Sequence, residues 1–423
     1  MLTETKHKPR MVQPGKIRHC LILTEFRLKL LMYSETPTIN KIQTCILEII
    51  MKKKFIILTS LFFISFGYCK DAAKTIPFPA DFARGADISW VTEMEDDGIK
   101  FYNDSGEESD LFRLIKDCGM NSVRLRVWVN PENQYGNYCN KADVIKKAKR
   151  AFELGMDIMI DFHYSDIFTD PGRQLKPSAW QTCSTPAEIE AKIKEHTQDI
   201  LAELKKAGIS PKWIQLGNEI NAGMLWDDDA SLSAGTWDSD GTHTNGYSFK
   251  KNFSNLSSYI NAGYEASKNI FPDASVIIHL ADGFNVETFK WIFDELKSLG
   301  TNYDIIGLSH YPQNNTSKSW KTMNDEAVST IKTVAKRYGK KVMVCEIGTK
   351  SSDENLAAKV MSDFMTKIVS INSCAGIFYW EPQVYNWKPS YYNSVGWSAY
   401  DMGAFTSKRS PAKVLKVFNG TTF

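Results

Sequence analysis

The chain has 423 residues, 43% hydrophobic, 24% charged and 12% aromatic, a balance that excludes a disordered or collagen-like protein. Its formal net charge of +2 hides a split at Cys69: residues 1–69 carry 11 Lys/Arg against 4 Asp/Glu, which leaves 40 against 45 in the remainder. A mildly acidic body excludes non-specific binding of nucleic acid.

Residues 1–50 show no helical or strand period and read as a spurious extension ahead of the true start at Met51. From Met51 the run MKKKFIILTSLFFISFGYC sets a basic triplet before an apolar stretch at 55–66, the order of an export signal and too short for a comfortable membrane span. The expected organisation is therefore extension 1–50, signal peptide 51–69 and one exported, monomeric catalytic domain 70–423. Cys69 stands where a lipoprotein carries its lipidated cysteine, but Tyr68 is bulkier than the small residue usual before it. An outer-membrane lipid anchor and plain secretion both stay open. The five later cysteines lack metal-ligand spacing and argue against a zinc site or a disulfide framework. Free thiols are expected, with Cys139–Cys183 the one bridge to consider.

Past Lys70, short β-branched apolar runs predict strands at 83–89, 122–128, 157–165, 213–219, 275–282, 305–312, 341–348 and 376–382. Amphipathic stretches predict helices at 110–118, 142–154, 187–207, 256–270, 286–299, 325–338 and 356–369, with a weaker one at 411–418. Eight such units predict an α/β fold, a single (β/α)8 TIM barrel, with its catalytic residues at the C-terminal ends of the strands. A doubly wound sheet would need a Gly-rich phosphate loop after the first strand, and none is present.

The strands run apolar and end in polar or aromatic residues: Asp87; Arg124 and Trp128; His163 and Asp166; Asn218 and Glu219; His279 and Asp282; Tyr311; Glu346; Trp380 and Glu381. Glu219 and Glu346, on strands four and seven, would face each other across a bound substrate. Taken singly, each could be one half of an ion pair with Arg124. Together they suit glycoside hydrolysis, in which one carboxyl protonates the leaving oxygen and the other attacks or activates water. Asn218 would bond a sugar 2-hydroxyl, Tyr311 and Arg124 would hold Glu346 ionised, and Trp380 would offer a face to a pyranose ring.

The segments ARGADISW, RLRVW, DFHYSDIFTDPGRQLKPSAW, LGNEINAGMLW, the HYP of LSHYP, VCEIG and FYWEP resemble the bacterial arabinogalactan endo-β-1,4-galactanases of glycoside hydrolase family 53, over roughly residues 77–420. The resemblance implies a retaining endo-hydrolase of β-1,4-galactan, with Glu219 as proton donor and Glu346 as nucleophile. It also implies substrate contacts at Asp170 and Arg173 of the DPGR loop, at Asp282 and at Trp380, and no required cofactor. The chain departs from the family at Phe168, usually Trp, at His310, usually Tyr, and at Gln313-Asn314-Asn315, so the outer sugar subsites are expected to differ. The calcium loop usual after the nucleophile is replaced by IGTKSSDENL, with only Ser398 and Asp401 resembling its other half. A structural calcium is therefore not supported by the usual loop. The cluster Asp238, Asp240, His243 and Asn245 offers hard oxygen ligands but reads as a turn-rich insertion. The alternatives are another endo-hydrolase of the same clan, of mannanase or xylanase type, or a non-catalytic glycan-binding surface lipoprotein.

Overall fold

A computed structural model describes residues 75–423 apart from 132–135, 227–252 and 395. The expected extension and signal, and the Asp238, Asp240, His243, Asn245 cluster, lie outside the described residues. Parallel strands β1 (Ala83–Asp87), β2 (Ser122–Val127), β3 (Asp157–Phe162), β4 (Trp213–Leu216), β5 (Ser275–Leu280), β6 (Ile305–His310), β7 (Lys341–Ile347) and β8 (Cys374–Trp380) close in sequence order, with β8 pairing back onto β1. The strands are almost wholly buried, which is why they read as near-continuous apolar runs.

Around them stand α1 (Val91–Asp96), α2 (Leu111–Asp117), α3 (Lys141–Glu153), α4 (Pro186–Lys206), α5 (Phe253–Ile270), α6 (Val286–Ser298), α7 (Trp320–Tyr338), α8 (Glu354–Val369) and the short α9 (Ser390–Ser394). Their starts follow from side-chain caps. Asp110, Asn140, Asn285, Ser319 and Asp353 each accept from a first-turn N–H, and Thr185 with Glu188 forms a capping box ahead of α4.

The expected (β/α)8 TIM barrel is corrected here. The closed parallel barrel is present, but its helices form a separate surround rather than one per strand. Two helices, α1 and α2, lie between β1 and β2, and 3-10 turns at Ser178–Trp180 and Ile220–Ala222 interrupt later connections. No barrel-length helix follows β8 among the described residues. The predicted helix at 411–418 is instead a 3-10 helix, Lys413–Asn419, confined between Pro411 and the left-handed Gly420 (φ 99°). It packs against α8, and its Phe418 carbonyl accepts from Arg84 Nη1 at 3.2 Å.

Inside the barrel, side chains follow the two-residue period of strands. Ala83, Met159, Trp213, Ile277, Ile305, Met343, Cys345 and Phe378 form a buried apolar cluster apart from the outer core. Two or four residues further along the same strands come Asp87, Asp161, Gln215, His279 and Ser309, so an apolar plug underlies a buried polar layer. The five cysteines, Cys118, Cys139, Cys183, Cys345 and Cys374, are free.

β7 breaks the period. Leu308 pairs with Val344 but Ser309 pairs with Glu346, so Cys345 is an extra residue, and the pairing with β8 shifts over the same stretch. Strict alternation from Met343 and Cys345 would turn Glu346 toward the helices, and the bulge turns it to the barrel mouth. Packing of the plug leaves no room at Gly85, where an added methyl would lie 2.3 Å from the Phe378 ring. Gly85→Ala should therefore lower unfolding free energy by about 1–3 kcal/mol in urea denaturation; an unchanged midpoint would show that the ring is not wedged there.

Candidate active site

β2 carries Arg124 and Arg126 two residues apart, both fully buried. A guanidinium has five N–H donors. At Arg124, Nε donates to Gln215 Oε1 (3.1 Å), Nη1 to Asp87 Oδ2 (2.7 Å) and Nη2 to Asn218 Oδ1 (2.7 Å), and the guanidinium forms ion pairs with Glu346 Oε1 (2.9 Å from Nη1) and Asp161 Oδ2 (2.8 Å from Nη2). Burial works against this charge, yet Asp161, Glu346 and Asp87 together raise its pKa above the ordinary value. In turn, Asp161 is held below the usual carboxylate range, because Arg124 and then His163 outweigh its burial.

His163 fixes the loop above this layer. Its Nδ1 accepts from the Thr169 N–H at 3.1 Å, so Nε2 carries the proton and donates to Asp161 Oδ2 at 2.9 Å. Asn218 is clamped in one orientation, with Oδ1 accepting from Arg124 and Nδ2 donating to the Thr169 carbonyl at 2.7 Å.

The two glutamates have unlike surroundings. Burial pushes Glu346 up to about 7, against the pull of Arg124 and of the Tyr311 hydroxyl, which donates to Oε2 at 2.8 Å. Burial also raises Glu219, and the Glu346, Asp170 and Asp282 carboxylates drive it well above the carboxylate range. No cation pairs with Glu219 among the described residues. β4 ends at Leu216, and Glu219 follows in left-handed backbone (φ 49°, ψ 50°) at the entry to the turn Ile220–Ala222. Gly217 makes this path possible, at φ 77° and with an added methyl only 2.6 Å from Ile220 Cγ2.

Two cavities meet at Glu219 and Tyr311. An inner one of about 160 Å³ is lined by Asn218, Glu219, Glu346 and Arg126, with Phe168, Trp380, Tyr392 and Trp397 as aromatic walls. An outer one of about 590 Å³ is bounded by Asp282, Phe284, Ser309, Asn314 and Asn315. Glu219 thus borders both cavities and Glu346 the inner one, a layout suited to a chain that extends past both sides of one reacting bond.

The sequence profile of glycosyl hydrolase family 53 matches residues 83–418. The chain belongs to glycosyl hydrolase family 53. Among its relatives, an arabinogalactan endo-β-1,4-galactanase of Cellvibrio japonicus is 31% identical over 356 residues, covering 78% of this chain and 87% of its own. The solved catalytic domain of a family 53 protein from Ignisphaera aggregans superposes with a TM-score of 0.68 at 26% identity, covering 82% of this chain and 99% of its own. A solved fungal β-1,4-galactanase gives a TM-score of 0.67 at 26% identity, covering 80% and 98%. The protein is thus a glycoside hydrolase related to galactanases.

Within this family 53 cleft, Glu219, Glu346, His163, Asp170, Asn218, Tyr311 and Trp380 line the inner cavity, and Asp282 lines the outer one. Asp87 and Arg124 line neither cavity; Arg124 touches the inner one through Glu346 and Asn218, and Asp87 is bonded to Arg124 behind them. Three further expected contacts, Trp128, Asp166 and Arg173, also line neither cavity. Trp128 packs edge-on against Phe168, with ring centroids 5.0 Å apart. Asp166 accepts from the Asn130 and Ser178 N–H groups and the Ser178 hydroxyl. Arg173 donates to the Tyr391 hydroxyl and lies over the Trp397 ring at 5.5 Å. Phe168 reaches the inner wall, whereas His310 faces α7 and α8, bonded to Asn324 Oδ1 at 2.8 Å and against Phe364. Among the described residues no three His, Cys, Asp or Glu side chains are grouped to hold a metal.

Arg126, Asp161, Gln215 and Ser309 were missed by reading strand ends alone. Arg126, Asp161 and Ser309 sit two residues from the flagged Arg124 and Trp128, His163 and Tyr311, so the two-residue period carries their signal, whereas Gln215, three residues before Asn218, has none of this kind. Arg126 pairs with Glu381 at 3.2 Å and lies 4.4 Å from the Phe168 ring centre, and so supports the inner wall.

The raised Glu219 carries a sign for stability. Because its folded pKa exceeds its unfolded one, its contribution is present below the unfolded value near pH 4.5 and is lost as pH rises through the folded value. Glu219→Gln should melt with the parent near pH 4 and progressively above it toward pH 8. Superimposable calorimetric melting curves across that range would show that Glu219 is not held protonated.

Proposed function

We propose that this protein is a retaining endo-hydrolase of β-1,4-galactosidic bonds in galactan and type I arabinogalactan. The observation that carries the mechanism is the asymmetry of the two facing carboxyls. Arg124 and Tyr311 stabilise charge on Glu346, while Glu219 faces other carboxylates and no cation. Glu346 is the nucleophile and Glu219 the proton donor.

In the first step a Glu346 oxygen attacks the anomeric carbon of the galactosyl unit in the inner cavity as Glu219 transfers its proton to the departing 4-oxygen in the outer cavity. The carbon–oxygen bond breaks, and a galactosyl ester of Glu346 forms. In the second, Glu219, now ionised, takes a proton from water as the water oxygen attacks the same carbon, which frees Glu346 and restores the protonated acid. Double displacement retains the β configuration. Trp380 offers its face to the sugar in the inner cavity, and Asp170 bonds its hydroxyls. The galactan preference rests on the named activities of the relatives. The export expected from residues 51–69 would bring the enzyme to a polysaccharide too large to enter a cell.

The test offers galactan, mannan and xylan side by side and follows the anomer released from galactan by NMR. Hydrolysis of galactan with β-anomer first is expected; faster cleavage of mannan or xylan, or α-anomer first, overturns the reading. Glu219→Ala should lose about 10²–10⁴-fold in kcat/KM on galactan. It should keep most of its rate on a dinitrophenyl β-galactobioside, whose leaving group needs no proton. Glu346→Gln should lose both activities.

A further inference from the structure

A third cavity, of about 440 Å³, opens along the chain that follows β8. Trp380 lines the inner cavity, the Tyr400 ring packs edge-on against Trp380 with centroids 4.7 Å apart, and the next residue, Asp401, lines the third cavity. One aromatic ring therefore links this space to the cleft. A second wall comes from the loop after β7, and the two walls are joined: the Ser351 N–H (3.0 Å) and hydroxyl (2.7 Å) both donate to the Asp401 carbonyl.

The lining combines three kinds of group. Phe405 and Val414 are buried apolar side chains. Tyr385 is 39% exposed, with the Arg409 guanidinium 5.9 Å from its ring centre. The carboxylates of Glu354 and Asp401 and the hydroxyls of Ser352, Tyr385 and Ser407 form no hydrogen bond or ion pair among the described residues. A single exposed tyrosine needs no explanation. A tyrosine ring set beside apolar side chains and free polar groups in one cavity has the make-up of a ligand site.

The same lining selects the ligand. No Lys, Arg or His lines the cavity, so an anion would meet two carboxylates with nothing to offset them. A metal ion would find only those two, and no three metal-ligating side chains are grouped among the described residues. A neutral molecule with one apolar face and many hydroxyl donors fits, and a pyranose is such a molecule. Carboxylates and hydroxyls accept from sugar hydroxyls, and the C–H face of the sugar lies on the tyrosine ring. β-1,4-Galactan suits this in particular. Each galactose is linked through its axial 4-oxygen, so the C–H groups at C3, C4 and C5 stay together on the opposite face.

Resting on the galactan reading of the cleft, we propose that this cavity is a second, non-catalytic binding site for β-1,4-galactan. Tyr385 takes the apolar face of a galactosyl unit, and Glu354, Asp401, Ser352 and Ser407 accept from its hydroxyls. A polymer held here keeps its neighbouring units close to the cleft, which raises their effective concentration there without any new contact to the reacting sugar. A substrate too short to reach from one site to the other gains nothing.

That difference is the test. Tyr385→Ala should raise KM on galactan by about two- to tenfold with kcat unchanged. In the Glu346→Gln background, where the polymer is not consumed, it should also weaken retention in a native gel containing galactan. Its kcat/KM on the dinitrophenyl β-galactobioside, which occupies the cleft alone, should equal the parent's. Tyr385→Phe, which keeps the ring, should stay close to the parent on both substrates. An unchanged KM on galactan or unchanged retention overturns the proposal. So does an equal loss on both substrates, which would mean that Tyr385 supports the cleft itself. Failure of the galactan reading looks different: the parent itself would leave galactan intact, or would cleave mannan or xylan faster.

Discussion

Each nitrogen of the Arg124 guanidinium has a hydrogen-bond acceptor, two carboxylates besides form ion pairs with it, and its partners come from β1, β3, the end of β4 and β7. One buried cation thus ties together most of the barrel mouth. Burying a charge is tolerable only when it is paired and hydrogen-bonded, and Arg124 meets both conditions. The reverse also holds: Asp87, Asp161 and Glu346 depend on this one cation, and each receives only part of its compensation. Asp161 gains further from His163, whereas Glu346 has only the Tyr311 hydroxyl in addition and is left near the boundary between charged and neutral. Glu219 lies outside the reach of the guanidinium altogether. The division between a carboxyl that can ionise and one that resists ionising follows from how a single fork of donors is shared.

Backbone strain gathers around the same mouth. Tyr164, Glu219, Asp282 and Glu381 are non-glycine residues at positive φ, each within three residues of the end of β3, β4, β5 or β8. Such conformations cost of order 1–3 kcal/mol each and persist where the surroundings over-determine them. Here they end the strands abruptly and turn the following side chains across the barrel opening instead of along it. At Glu346 the bulge serves the same end from within a strand. The apolar plug beneath supplies the rigidity that holds these departures in place.

The eight strands and the seven long helices were legible because burial on two faces and on one face leave different periods in the sequence. Boundaries were less so. The fourth strand was expected to reach Glu219 but ends at Leu216, since the Gly217 turn is a matter of backbone angle that an apolar run does not announce. The eighth helix failed because Pro411 and the left-handed Gly420 bracket a segment too short for a barrel-length helix, and 3-10 turns fill it. At the site, the glutamate pair and the aromatic Trp380 were visible as polar or aromatic ends to apolar runs. Trp128 and Asp166 share that signature yet are spent on packing and loop bonds, because position at a strand end does not say which way a side chain turns, and Arg173, expected from the resemblance alone, is spent on Tyr391 and Trp397. Asp161 and Ser309, lying within the strands, lacked the signature altogether.

The two carboxyls are less independent than their opposite positions on the barrel suggest. Arg124 touches Glu346 directly, and it also donates to Asn218 Oδ1, the oxygen that dictates the His279 tautomer. That tautomer leaves His279 Nε2 to accept from the Ser309 hydroxyl at 2.9 Å. The cation that favours charge on Glu346 is therefore linked, through three hydrogen bonds, to a hydroxyl on the wall of the cavity that Glu219 also lines. Repulsion between two carboxyls settles that one proton is held at neutral pH but is indifferent to which carboxyl holds it. The placement of Arg124 and Tyr311 against Glu346, with no cation against Glu219 among the described residues, supplies the missing choice before any substrate enters the cleft.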